Sequence, residues 1–103
     1  MLTPQAIEDF KGFLDNNIAY AKVTVNGEAK KIPIHRRERL KDGRVAVYLN
    51  ITPQAETEAA IQRVQLYNKN KQLWADKTED ITLSNVQEGV LYRFVFRFVE
   101  QEV

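Results

Sequence analysis

Apolar positions follow a helical period near the start of the chain and a period of two from Ala19 onward. Ile7, Phe10, Leu14 and Ile18 recur at spacings of three and four and line one face. Glu8, Lys11 and Asp15 fall largely on the other side. Thr3 is placed to cap this helix, and Pro4 occupies the first helical position, where its missing N–H costs nothing. Leu2 and Ile7 are spaced for a hydrophobic staple, and Asn16-Asn17 marks the exit. The pattern predicts a helix over 3–17. Such a helix must bury its stripe on a sheet or on another subunit.

Beyond it, Ala21, Val23 and Val25 alternate with Tyr20, Lys22 and Thr24, and Asn26-Gly27 follows. Both residues of that pair tolerate the positive φ of a tight hairpin turn. The return strand runs through Ile32 and Ile34. Pro33 within it cannot donate a ladder hydrogen bond, which predicts an edge position. After a turn at Lys41–Arg44, Val45, Val47, Leu49 and Ile51 alternate with Ala46, Tyr48 and Asn50, a half-buried strand with one apolar face.

Thr52–Glu58 is polar and aperiodic and reads as a loop. A strand over about Ala60–Tyr67, with Val64 and Leu66 on one side, turns at Asn68–Lys71 into Leu73-Trp74-Ala75. Ile81 and Leu83 suggest a short further strand. Gly89 precedes the most strongly patterned stretch. Tyr92, Phe94, Phe96 and Phe98 face one way, and Arg93, Val95, Arg97 and Val99 the other. Four rings on one side predict a central core strand.

One helix followed by about six or seven strands predicts a mainly β fold, an antiparallel β-sandwich or open barrel with one N-terminal amphipathic helix. With 103 residues and no linker or repeat, residues 1–103 are expected to form a single domain, its β part over 19–99. No apolar run approaches the ~20 residues of a membrane span, and residues 1–10 lack a signal-peptide pattern. There is no cysteine. Together these features predict an intracellular protein, or one that leaves the cell by lysis rather than by secretion.

The net charge of +1 hides an asymmetry. Between residues 30 and 44, Lys30, Lys31, Arg36, Arg37, Arg39, Lys41 and Arg44 face only Glu38 and Asp42, a net +5 that leaves −4 elsewhere. This stretch is either a contact for an anionic partner or a solvated hairpin whose charges guard a sheet edge.

Catalytic groups are few. His35 is the single histidine and Ser84 the single serine, so a Ser/His pair would have to be these two. One histidine and no cysteine exclude the usual zinc sites. The four glycines are isolated, so no phosphate-cradling loop is present, and the carboxylates lack a calcium-loop pattern. The residues predict a protein that is not an enzyme and needs no cofactor or metal.

The segment Ile61–Ala75, IQRVQLYNKNKQLWA, resembles a strand–turn–strand unit of phage tail-fibre and tail-collar associated proteins, of the form I-T-x-V-x-L-Y-D-x-x-G-x-L-W-A. In those proteins an alternating aromatic strand follows, as Gly89–Val99 does here. His35–Tyr48 is similar to small proteins of prophage tail regions in Gram-positive bacteria. Lys69-Asn70-Lys71 departs from the pattern, which has an acidic residue and a glycine there. The resemblance implies a structural, oligomer-forming role and brings no catalytic residues.

The leading expectation is therefore a tail-associated assembly protein, contacting copies of itself and other tail components and not a membrane. The expected contact residues are Arg36, Arg37, Arg39, Arg44, Trp74, Arg93 and Arg97. The alternative is a single-stranded nucleic-acid binder using residues 30–44, with Tyr48, Tyr67 and Trp74 as stacking platforms. A small hydrolase or ligand-binding barrel is the third reading.

Overall fold

The computed structural model describes residues 1–53, 58–84 and 89–101. Helix α1 (Pro4–Asn17) is followed by β1 (Ile18–Val25), β2 (Glu28–Pro33), β3 (Arg36–Arg39), β4 (Val45–Ile51), β5 (Ala59–Asn68), β6 (Leu73–Leu83) and β7 (Val90–Phe96). The strands form two antiparallel sheets, ordered β2-β1-β5-β6 and β3-β4-β7. Among the described residues no strand closes the two into a barrel, and the mainly β expectation resolves to an open, sandwich-like pair of sheets.

Local signals act as the sequence predicts. Thr3 Oγ1 accepts from the Ala6 N–H at 3.2 Å, and Pro4 opens the helix. Asn26 and Gly27 take φ of 51° and 80°, the left-handed pair that a tight hairpin between β1 and β2 requires. Pro33 is the last residue of β2, which is an edge strand. The C-terminal carbonyl of Asn17 accepts from the Lys69 N–H at 3.1 Å, so the β5–β6 turn supplies a donor that the helix end lacks.

The core lies between the two sheets. Ala21 and Val23 of β1 and Ile61, Val64 and Leu66 of β5 meet Val45, Val47, Leu49 and Ile51 of β4. Leu14 and Ile18 close one end of it. Ile61 and Val64 both point inward although three positions apart. Gln62 makes this possible as an extra residue, since Thr24 pairs with Arg63 and Val25 with Ile61. Its Oε1 accepts from the Gly27 N–H at 2.8 Å, tying the bulge to the first hairpin turn. Among the described residues, no helix is long and apolar enough to cross a membrane.

Four expectations are corrected. Among the described residues the aromatic strand β7 pairs with β4 alone and is an edge strand, and Tyr92, Phe94 and Phe96 are half-buried. Phe98 lies beyond its end. The central strand of that sheet is β4, and it is buried on both faces except at Asn50, with the Arg36 guanidinium stacked over the Tyr48 ring. Ile81 and Leu83 belong to an eleven-residue β6 rather than to a separate short strand. The stretch 30–44 is not one hairpin, for the chain leaves the first sheet after Pro33 and enters the second at Arg36. The expected loop at 52–58 lies partly outside the described residues.

Candidate interaction surface

The sheet switch at Ile34-His35 disperses the predicted basic face. Lys30 and Lys31 stay on β2, and the arginines go to β3 and its turn. On β3, Arg37 stands opposite Val47 and Arg39 opposite Val45, so both share the inward face. Arg37 Nη2 donates to the Ile18 carbonyl at 2.6 Å. Arg39 Nη2 lies 2.7 Å from Asp15 Oδ2 and 3.0 Å from Glu8 Oε1. These carboxylates hold the Arg39 guanidinium above its ordinary pKa, the Asp15 hydrogen bond most strongly. Arg37 and Arg39 thus fasten the helix to the open edge of the second sheet.

Of the remaining predicted arginines, Arg36, Arg93 and Arg97 are exposed and Arg44 is half-buried, and each has its own surroundings. Arg36 stacks 4.4 Å over the Tyr48 ring and lies 3.3 Å from Glu38. Arg44 Nε donates to Asp42 Oδ2 at 2.6 Å. The Asp42 carboxyl is held below its ordinary value, chiefly by the Arg44 backbone N–H, with a smaller contribution from Arg97. Arg93 stands opposite Tyr48 on the outer face of β7, and Arg97 follows the strand. The expected Arg93/Val95/Arg97/Val99 face is therefore cut short after Val95. Tyr48 is buried, which removes it as a stacking platform.

Trp74 is the predicted residue that the structure places in a larger feature. Its ring centroid lies 6.3 Å from that of Phe13 on α1. Phe13 and Phe10 are 59% and 52% exposed, although both are large and apolar. With Leu2, Ala6 and Asp9 they line an open groove of about 550 Å³. Beyond Phe10 the groove continues to Phe98 and Val99 of the C-terminal segment. The result is a continuous apolar strip along the outer side of α1.

The rotation of α1 explains this strip. The Leu14–Ile18 side faces the sheets, Ile7 is half-buried beside Leu2 and Phe10, and the Glu8–Asp15 side is drawn to Arg39. Phe10 was expected inside with that stripe. It lies instead at the margin, because the apolar arc of the helix is wider than the end of the sandwich it covers. Phe13 was absent from the sequence-based stripe. Its signal was the second row Ala6, Phe10, Phe13 at spacings of four and three.

A second feature lies on the outer face of the four-stranded sheet. Tyr20 and Tyr67 stack with centroids 5.2 Å apart and planes within 1° of parallel. Lys31 Nζ sits 4.2 Å from the Tyr20 ring centroid, and Lys22 Nζ 5.1 Å from that of Tyr67. Arg63 forms a bidentate pair with Asp76 beside them. That pairing raises the Arg63 pKa and lowers that of Asp76. Cross-strand register brings the rings together, which period-two alternation alone does not reveal.

The Ser/His pair is separated. His35 follows Pro33, which pairs with Tyr20 at the helix end of the sandwich. Ser84 follows Leu83, which pairs with Ala59 at the opposite end. Among the described residues, no cluster of three or more histidine, aspartate or glutamate side chains is arranged to hold a metal ion. The chain matches no family model, no curated protein and no solved structure.

Proposed function

We propose that this protein is a non-catalytic assembly component, a phage or prophage tail-associated protein that works through contacts with copies of itself and with other tail proteins. The carrying observation is the apolar strip through Leu2, Phe10, Phe13 and Trp74, which leaves large rings in water at the end of a well-packed core. Contiguous apolar surface of this extent marks protein contact sites. The tail assignment rests on the likeness of Ile61–Ala75 and His35–Tyr48 to tail-region proteins.

Sedimentation velocity across a concentration series tests the self-association. Concentration-dependent association is expected, and a strict monomer at high micromolar concentration would overturn it. Mass spectrometry of tails purified after induction of a lysogen carrying this gene tests the location. Absence of the protein from intact tails would remove the tail assignment.

A second reading, single-stranded nucleic-acid binding, is favoured by the Tyr20–Tyr67 stack between Lys22 and Lys31. It moves from residues 30–44 to the outer face of the first sheet. A base stacked on an aromatic ring is worth about 1–3 kcal/mol. Tyr67→Ala should then weaken oligonucleotide binding at low salt by roughly tenfold. No binding by the unaltered protein at low salt excludes this reading.

A further inference from the structure

The occupant of the apolar strip is specified by the spacing of its own residues. Ala6, Phe10, Phe13 and Asn17 follow one another at intervals of four, three and four along α1. At about 100° per residue they form a seam on one side of the helix. The seam reads the same in both directions, with two large rings in the middle and smaller residues at the ends. A second helix running antiparallel about a two-fold axis between Lys11 and Gly12 sets Phe10 against Phe13 of the second copy. The same axis sets Ala6 against Asn17.

The area is also sufficient. From their exposures, the strip residues leave on the order of 500 Å² of apolar surface open, with aromatic rings at about 150–250 Å² each. A standard dimer buries about 800 Å² per partner, and homodimer interfaces are about 65% apolar.

We propose that the α1 strip binds a second copy of this chain through an antiparallel, two-fold pairing of the helices. This deepens the self-association reading and rests on it.

The absence of cysteine makes cross-linking clean. In the antiparallel dimer, Ala6 lies about 16 Å along the axis from its own copy, at about 1.5 Å per residue. That exceeds the reach of a disulfide. Under mild oxidation, Ala6→Cys alone should give no covalent dimer, and a mixture of Ala6→Cys with Asn17→Cys should give the mixed one. Asn17 also binds the Phe13 carbonyl, so the Asn17→Cys variant is first checked for an unchanged circular dichroism spectrum and an unchanged sedimentation profile. Phe13→Glu, at an exposed position, should yield a monomer with an unchanged circular dichroism spectrum. A dimer that cross-links Ala6→Cys to itself, or that survives Phe13→Glu, overturns the helix pairing and leaves self-association standing. A monomeric unaltered protein overturns both.

Discussion

Arg39 Nη2 lies 2.7 Å from Asp15 Oδ2, and this contact joins the edge strand β3 to helix α1 across 24 positions of sequence. With the burial of Leu14 and Ile18, it sets which side of the helix faces water. With Glu8 and Asp15 drawn to Arg39, Phe10 and Phe13 turn outward.

Removal of this anchor is expected to be costly. Asp15 Oδ1 is buried with no hydrogen-bond partner among the described residues, so the Asp15 carboxylate depends on Arg39 for its compensation. Arg39→Ala should lower stability by about 2 kcal/mol, given the exposure of the guanidinium and the general cost of stranding a partly buried charge. Urea denaturation of the two proteins measures this directly.

The seam between β6 and β7 makes stability depend on pH at both extremes. Tyr92 Oη donates to Glu79 Oε1 at 2.7 Å. This bond is the main cause that lowers the Glu79 carboxyl below its ordinary 4.5. Burial first, and then the same bond, raise the Tyr92 hydroxyl above its ordinary 10.0. A lowered acid stabilises the fold above its unfolded pKa and loses that contribution as pH falls through the folded value. A raised phenol stabilises below its unfolded value and loses that contribution as pH rises through the folded one. Denaturation midpoints should thus fall below about pH 4.5 and above about pH 10. Tyr92→Phe should flatten both limbs. Unchanged limbs would show that the bond does not form in solution.

Lys71 takes φ +62°, where the resembled tail pattern carries glycine. The turn is held by Asn68 Oδ1, which accepts from the Asn70 and Gln72 N–H groups at 3.0 and 2.8 Å. A side chain in the left-handed region costs about 1–2 kcal/mol, partly offset by the greater unfolded freedom of glycine. Lys71→Gly is expected to stabilise the protein by about 0.5–1 kcal/mol, read as a raised melting temperature.

Gly89 shows the opposite case. A Cβ added there would stand 2.7 Å from Asn50 Oδ1, 2.9 Å from Thr52 Cγ2 and 3.3 Å from the Ile51 carbonyl oxygen. The first two belong to exposed side chains that can swing aside, and the third is backbone. Gly89→Ala should therefore destabilise by about 1–2 kcal/mol. Wild-type stability in the variant would show that this approach is looser in solution.

The candidate surface was only partly legible before the fold. Trp74 was named as a contact residue, but its neighbour Phe13 lies 61 positions away, and only packing brings the two rings together. The arginines of β3 were read as an outward basic face. Alternation along four residues reports that Arg37 and Arg39 share a side, not that this side is the inner one. The aromatic run was read as central because rings seek burial, yet β7 buries its rings from an edge by leaning them against the other sheet.

The sequence by itself determined the local geometry. The Thr3 cap, the α1 period, the Asn26-Gly27 turn and the confinement of Pro33 to an edge all follow from neighbouring residues, because φ/ψ preference and side-chain period are local properties. Only the tertiary structure decided strand order, the bulge at Gln62, the Tyr20–Tyr67 register and the rotation of α1 that exposes Phe13. Each depends on residues tens of positions apart competing for the same buried space, and that competition is settled by packing and not by pattern.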